Sequence, residues 1–116
     1  MTQTFLFSQR LHRREEFERA LQQKGLIDNW LALHAVENTT GSERLGIVVS
    51  KRVVAKAVAR NRIKRIVREV FRQSSSDGIS SLNIVVRIRK RLSNDETVEF
   101  KRSLSRLLIK VRMQTK

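Results

Sequence analysis

Few side chains in this sequence have the chemistry to make or break a covalent bond. There is no cysteine, and His12 and His34 stand at no spacing that ties either one to a nucleophile and an acid. Glu15, Glu16 and Glu18 fall early in a predicted helix, where the helix dipole favours acidic side chains. The sequence therefore predicts no catalytic residue and no metal site in this chain, and any reaction has to be carried by a partner.

Arginine and lysine are the side chains that recur at a chemically meaningful spacing. The segment 59–72, ARNRIKRIVREVFR, has six of them in fourteen positions and a single acid, Glu69. Like charges recur at i, i+4 along positions 60, 64, 68 and 72, and each such pair costs roughly a few tenths of a kcal/mol. Arginine predominates, and its planar guanidinium suits phosphate oxygens and stacks on bases. A face made only for solvent would contain more acids, so the pattern favours a polyanionic partner over a plain solvated surface.

A helical projection separates this segment into an apolar side and a polar side. Ile63, Ile66, Val67 and Val70 share the apolar side, whereas Asn61 on the opposite pole offers both a donor and an acceptor. Two further cations end the predicted strand just before the helix. Lys64, Arg65, Arg68 and Arg72 lie near the same pole as Asn61, Arg60 and Arg62 lie on the two flanks, and Lys51 and Arg52 ahead of the helix are candidate phosphate contacts.

The positive charge is large and unevenly distributed. The chain has 25 basic and 11 acidic residues, which gives a net charge of +14. The net charge is zero over residues 1–50, +8 over 51–72 and +7 over 87–116. Segregated charge of this size indicates nucleic acid as the first candidate partner and an anionic membrane surface as the second.

A length of 116 residues, 40% of them hydrophobic, predicts one domain over residues 1–116 with one modest core. We expect the ends, about residues 1–9 and 113–116, to be flexible. The sequence has no apolar run long enough for a membrane-spanning helix and no signal-peptide pattern in residues 1–14. It therefore predicts a soluble intracellular protein.

Hydrophobic periodicity predicts three helices and three strands. Alternation over 82–89 indicates a half-buried strand, and Ser93 with Glu96 forms the capping-box pattern of a last helix. That helix has an apolar stripe that includes Phe100 and Leu104. The predicted order is helix 13–24, strand 30–36, strand 45–53, helix 57–73, strand 82–89 and a helix from 93 onward. A helix between the second and third strands allows a parallel crossover, so we expect a sheet with helices packed on it.

The stretch 57–72, AVARNRIKRIVREVFR, closely resembles the signature of the protein component of bacterial ribonuclease P. The shared features are Ala-Val, then Arg-Asn-Arg, then Lys-Arg after one more residue, then Arg-Glu and a final Phe-Arg. The resemblance extends to RREEFERAL at 13–21, LGIVVSKRV at 45–53 and LNIVVRIRK at 82–90. It covers most of residues 10–112. The residues that match the family's RNA-binding motif are Arg60, Asn61, Arg62, Lys64, Arg65, Arg68 and Arg72.

This resemblance implies both a fold and a function. The fold would be α+β, an α-β-β-α-β-α two-layer sandwich with a left-handed β-α-β crossover, against the usual right-handed rule. The chain would be the accessory protein subunit of an endoribonuclease that removes the 5′ leader of precursor tRNA. Its partners would be the catalytic RNA subunit and precursor tRNA, with no membrane and no obligatory protein partner. Mg²⁺ would act through the RNA subunit, the protein chain would need no cofactor, and the complex would be cytoplasmic.

The resemblance also places the leader in a cleft between the sheet and the first helix. Phe17 matches a cleft aromatic, Leu21 stands at the position of a second one, and His34 stands where the family often has tyrosine. Core packing of Phe17 and a plain strand role for His34 are the alternatives. Trp30 is expected to be packed. A second basic cluster, Arg87, Arg89, Lys90 and Arg91, either extends the binding surface or solvates the end of a strand.

Three other functions compete with this interpretation. A ribosomal-type protein would hold RNA without affecting cleavage. A DNA-binding protein would place the basic helix in a major groove, although the paired helix of a helix-turn-helix is not evident. A membrane-surface protein would have to expose the apolar side of the helix, which the predicted strands are available to cover.

Overall fold

The computed structural model describes residues 10–74 and 81–114 of the chain. The helices are α1 (Arg14–Leu21), α2 (Ala57–Gln73) and α3 (Thr97–Gln114), and a 3₁₀ turn at Asn94–Glu96 leads into α3. The strands are β1 (Leu26–Ile27), β2 (Leu31–Glu37), β3 (Arg44–Val48) and β4 (Leu82–Ile88). Of the ends predicted to be flexible, positions 113 and 114 continue α3, and residues 1–9 and 115–116 lie outside the described residues. No helix in the described ranges is both long and apolar enough to cross a membrane.

The four strands form one sheet in the order β1-β2-β4-β3. Strand β2 pairs antiparallel with β1 and β4, whereas β3 pairs parallel with β4, so that Ile47 lies opposite Val86. The parallel pairing around α2 confirms the predicted crossover, whose left-handedness stays an implication of the family resemblance. At the outer edge of β3, the Leu11 N–H donates to the Leu45 carbonyl at 2.9 Å, and Arg10 forms a single parallel bridge to Leu45.

Helices α2 and α3 cover one face of the sheet and bury the main core against it. The apolar sides predicted for both helices are the buried sides, with Phe71 and Phe100 among the largest fully buried side chains. Trp30 packs against this core, with its ring edge-on to Phe100 at a centroid distance of 6.4 Å. The expected packing of helices on a sheet and the α+β class are confirmed.

Helix α1 lies over the opposite face of the sheet and forms a second, smaller cluster. Ala20 of α1 and Val85 of β4 are completely buried there, with Phe17 and Leu21 packed around them. The expectation that the strand at 82–89 is half-buried was therefore wrong. Residues 82–86 are all buried because α1 covers the second face, which strand alternation alone does not reveal.

The remaining differences from the sequence predictions lie at element ends. The strand predicted over 45–53 stops at Val48, and the chain then turns, because the N–H groups of Val53 and Val54 donate to the Ser50 carbonyl. The two-residue strand β1 was missed. It leads into a turn in which Asp28 Oδ1 accepts hydrogen bonds from the N–H groups of Trp30 and Leu31 at 2.9 and 3.0 Å.

Candidate nucleic-acid interface

The outward side of α2 presents the polar residues that the projection predicted. Asn61 and Arg65 are exposed, and Arg68 and Arg72 are half-buried beside them. Together with Glu69 they line a shallow open depression along the helix. The opposite side, from Ile63 to Phe71, is buried in the core, so the fold fixes which way these side chains face. The depression is a fixed row of donors that suits successive phosphates.

Two arginines of the motif are used by the fold itself. Arg60 donates to the carbonyls of Val54 and Ala55 at 3.0 and 2.7 Å. Arg62 donates to Thr97 Oγ1 at 2.6 Å and to a main-chain carbonyl at position 92. These bonds tie the first turns of α2 to the preceding turn and to the start of α3. As RNA-binding residues Arg60 and Arg62 stay predictions, and their structural role was missed because the projection shows neither partner.

A second groove runs from α2 around the β3 edge to the start of α1. Lys64 and Arg68 line it together with Arg10, and its floor includes Phe17 and Gly46. Burial, and then the neighbouring charge of Arg10, lower the pKa of Arg68 from its ordinary value. Crowded cations of this kind favour an anion that enters between them.

Phe17 lies directly on the backbone of β3. A Cβ at position 46 would lie 2.6 Å from Phe17 Cζ and 3.1 Å from Leu11 Cδ1, so only glycine allows this contact. The ring is half-buried and borders the cationic groove. The structure therefore brings the predicted cleft aromatic together with Lys64 and Arg68.

His34 is placed differently from Phe17, because it is buried, with only 7% of the residue exposed. Its Nδ1 lies 2.8 Å from the Gln23 carbonyl, which makes Nδ1 the donor nitrogen. Gly25 packs against the ring, and a Cβ there would lie 2.7 Å from Cε1. Nε2 is buried and has no hydrogen-bond partner among the described residues. His34 thus joins the end of α1 to β2, and as a cleft residue it stays a prediction.

The other predicted cations are scattered around this surface. Lys51 and Arg52 are exposed in the turn between β3 and α2. The cluster after β4 is divided, since Arg89 donates to the Asp28 carbonyl and Lys90 lies 5.2 Å from the centre of the Trp30 ring. Arg91 is exposed. This cluster is thus partly engaged in holding the β1–β2 turn and the tryptophan.

Comparison with known proteins decides the family. The sequence model of a family described as Ribonuclease P matches residues 5–112. The chain belongs to the ribonuclease P protein family. It is 38% identical over 102 residues to the ribonuclease P protein component of Thermotoga petrophila, with 86% of each chain covered. It is 33% identical to that of Coxiella burnetii, with 100% of this chain and 96% of the relative covered.

Solved structures of the family share this fold. The Staphylococcus aureus RNase P protein superposes with a TM-score of 0.77 at 28% identity, over 90% of this chain and 95% of that one. The Thermotoga maritima RNase P protein gives a TM-score of 0.64 at 28% identity, over 90% and 96% of the two chains. The family and the fold confirm that the chain is a subunit of the ribonuclease P endoribonuclease, which acts in tRNA 5′ processing.

Within residues 10–74 and 81–114, no group of three or more His, Asp or Glu side chains is placed to hold a metal ion. Two of the three acidic residues of α1 form ion pairs instead: Arg14 Nε lies 2.9 Å from Glu18, and Arg44 lies 2.5 Å from Glu16. The second pair fixes α1 to β3 beside the groove. Glu16 therefore helps to position the helix that carries Phe17.

Proposed function

We propose that the chain binds the catalytic RNA subunit through α2 and the 5′ leader of precursor tRNA through the groove at Phe17. The observation that carries this proposal is that the motif residues of α2 fall into two groups, one bonded within the protein and one facing solvent. Arg60 and Arg62 are held by protein carbonyls and a hydroxyl, whereas Asn61 and Arg65 project into solvent from a helix whose other side is buried. Such a helix offers a rigid surface for a folded polyanion.

The α2 surface acts by charge. Arg65, Arg68 and Lys64 neutralise phosphates of the RNA subunit and release its condensed counterions, so binding weakens steeply as salt is added. The side chains are already directed outward, so little backbone ordering is needed on binding. Asn61 supplies a donor and an acceptor at the same surface and fits a base edge or a sugar hydroxyl.

The groove suits a single strand. Binding of single-stranded RNA combines base stacking on an aromatic ring with a cationic track for the backbone. Phe17 supplies the ring, and Lys64, Arg68 and Arg10 supply the track. Leader contact at His34 would require the Gly25 segment to move, because that segment covers the imidazole.

The cleavage chemistry belongs to the RNA subunit in this proposal. Mg²⁺ held by that RNA supplies the hydrolytic step, and the protein lowers the Mg²⁺ concentration that the reaction needs. The protein does so by neutralising phosphate repulsion and holding the substrate, and it needs no cofactor of its own. We place this ribonucleoprotein in the cytoplasm, without a membrane and without an obligatory protein partner.

The deciding experiment is cleavage of precursor tRNA by a bacterial ribonuclease P RNA at low Mg²⁺, with and without this chain. We expect cleavage at the mature 5′ end only when the protein is present. The protein alone should leave the substrate uncut. An RNA that binds the protein yet is cleaved no faster would instead identify a scaffold protein, and a preference for duplex DNA would support the DNA-binding alternative.

A further inference from the structure

Helix α3 carries a second row of outward cations, apart from the motif on α2. Arg102, Arg106 and Lys110 are exposed and follow one another at i, i+4. Arg106 reaches Ser103 Oγ at 3.5 Å, whereas Arg102 and Lys110 have no side-chain hydrogen bond or ion pair within the part of the chain that the structure describes. From residue 100 to residue 116 the sequence has six basic residues and no acidic one.

The contacts of α3 show which way this row faces. Ser103 is hydrogen-bonded to Asp28, in the turn between β1 and β2. Residues 106 and 110 follow Ser103 at i+3 and i+7 and therefore lie on the same side of the helix. Arg112, on the other side, reaches the Ser74 carbonyl at the end of α2. Arg106 and Lys110 thus lie on the side of α3 nearer the β1 edge of the sheet, and Arg102 lies about 100° from Ser103 around the helix, toward solvent. Lys64 and Arg68, in contrast, border the groove at the β3 edge.

Neither helix stability nor core packing accounts for this row. Like charges at i, i+4 repel, and cations stabilise a helix dipole mainly in the last turn. Arg102 and Arg106 lie in the first ten residues of an eighteen-residue helix, so the dipole gives them little. The core needs only the buried side of α3. A row of like charges that destabilises the folded protein indicates a partner whose binding compensates for the repulsion.

We propose that Arg102, Arg106 and Lys110 form a second binding site for an RNA phosphate backbone, on α3 and separate from the α2 surface. Its ligand class follows from its charge, since these three cations lie along one helix, have no ion pair among the described residues, and complement a run of phosphates. The site deepens the proposed function and rests on it, because the ribonucleoprotein supplies the RNA. With cationic surfaces on two neighbouring helices, one molecule contacts two RNA segments.

A membrane surface fits α3 less well. Val98, Ile109 and Met113 are 66%, 55% and 68% exposed and run beside the cations. A helix that lies in a bilayer interface needs a broad apolar face, and the broad apolar face of α3 is buried against the sheet. The three aliphatic residues nevertheless allow a sharp control, since they lie on the same helix and carry no charge.

The test compares the affinity of variants for a bacterial ribonuclease P RNA subunit across a salt series. We expect the triple variant Arg102→Gln, Arg106→Gln, Lys110→Gln to bind about tenfold more weakly and to lower the log–log salt slope by about two to three. The matched control Arg14→Gln, Arg19→Gln, Lys24→Gln removes the same charge from exposed positions in and after α1 and should bind nearly as the unmodified protein does. Equal losses in both variants would show a net-charge effect only and would overturn the site.

A crosslinking experiment locates the contact directly. The chain has no cysteine, so Ile109→Cys gives one attachment point for a photoreactive group beside the row. We expect RNA crosslinks from position 109 and none from the matched, exposed position in Gln22→Cys. Absence of crosslinks at 109, together with an unchanged triple variant, would overturn the proposal.

The aliphatic control separates RNA from other partners. Val98→Ser, Ile109→Ser, Met113→Ser should leave RNA affinity within about twofold, because the phosphates bind to the cations. If this variant instead lost binding to anionic phospholipid vesicles while the cation variant kept full RNA affinity, the surface would be a membrane site and the proposal would fail.

The α3 site and the proposed function fail on different results. If the cation variant stimulated cleavage normally and bound the RNA with unchanged affinity, the α3 site would be refuted and the proposed function would stand. Failure of the unmodified protein to stimulate cleavage would refute the proposed function, and the crosslinks would still decide the α3 site.

Discussion

At the scale of single residues, the arginines of this protein have two different uses. Arg60 and Arg62 complete the hydrogen bonding of main-chain carbonyls and a hydroxyl around the start of α2, whereas Arg65 remains exposed. Sequence reasoning identified the side of the helix correctly but not this division. The carbonyls at positions 54, 55 and 92 are brought to α2 only by the folded chain, so no local pattern reveals them.

This division predicts opposite phenotypes for neighbouring arginines. We expect Arg65→Ala to lower RNA affinity about three- to tenfold and to leave the free energy of unfolding unchanged, because the side chain is exposed. We expect Arg62→Ala to destabilise the fold by about 1–2 kcal/mol, because Thr97 and the carbonyl at 92 lose their donor. Filter binding and urea unfolding measure the two effects. A strongly destabilised Arg65→Ala protein would contradict the assignment.

Gly46 controls the position of the cleft ring. We expect Gly46→Ala to push Phe17 off β3, at a cost of about 1–3 kcal/mol in stability, because a methyl group there overlaps the ring. The preference for precursor over mature tRNA should then fall, while affinity for the RNA subunit is kept. Binding assays with both tRNA forms measure this ratio, and Phe17→Leu serves as the comparison. An unchanged ratio in both variants would show that Phe17 is core filling only.

At the scale of elements, short polar contacts hold the ends of helices in place. Arg112 of α3 forms a bidentate pair with Glu43, both bonds being 2.7 Å, and also reaches Ser74 at 2.6 Å. This pair joins α3 to the turn before β3 and to the end of α2. Both side chains are about nine-tenths buried, with 11% and 9% exposed.

Breaking this buried pair from one side should cost far more than breaking a surface pair. We expect Glu43→Gln to lower the free energy of unfolding by about 2–4 kcal/mol, since the buried guanidinium of Arg112 loses the carboxylate that accepts two of its hydrogen bonds. The matched change Glu18→Gln breaks the exposed pair with Arg14 and should cost under about 0.5 kcal/mol. Urea unfolding of both variants measures the difference. Equal and small losses would show that the Glu43 carboxylate contributes little to holding Arg112.

The turn before α3 makes part of the stability depend on pH. The Ser93 N–H and hydroxyl lower the pKa of Glu96, and the Ser93 hydroxyl lowers the pKa of Asp95. A carboxyl group with a lowered folded-state pKa stabilises the protein above its ordinary pKa, and this contribution is lost as the pH falls through the folded value. The loss therefore belongs to the acid range below about pH 5.

Ser93→Ala removes the hydroxyl contribution. We expect the variant to have a Tm lower by a few degrees at neutral pH, and this difference should shrink in acid as Glu96 and Asp95 become protonated. Calorimetry at neutral pH and at about pH 3 measures both values. A Tm difference that stays constant across this range would show that the Ser93 hydroxyl does not stabilise the ionised forms of Asp95 and Glu96.

The sequence predicted an element more accurately the longer its regular hydrophobic pattern was. Helix α2 has the predicted bounds because seventeen residues repeat the same apolar spacing. Strand β1 has two residues and gives no periodic signal, and the early end of β3 follows from the hydrogen bonds at Ser50. The burial of His34 depends on Gly25, nine positions away, which strand alternation does not register.

At the scale of the whole molecule, the uneven charge of the sequence becomes a spatial division. The sheet separates α1, which belongs to the part of the sequence with zero net charge, from the face covered by α2 and α3, which belong to the strongly basic parts. The exposed cations of α2 and α3 lie on the solvent side of these two helices. The net charge of +14 therefore predicted the class of partner, but only the order β1-β2-β4-β3 shows how the charge is distributed over surfaces.

The covered edge of β3 limits self-association of the protein through its sheet. Arg10 and Leu11 lie alongside this strand, and the Leu11 N–H donates a hydrogen bond to the Leu45 carbonyl. An uncovered edge strand is a template for pairing with another chain. We expect a chain shortened to begin at His12 to form aggregates, seen by light scattering, under conditions that leave the full chain dispersed. A dispersed, folded short chain would show that the edge needs no cover. Aggregation would show that the segment containing Arg10 and Leu11 prevents intermolecular β-sheet formation.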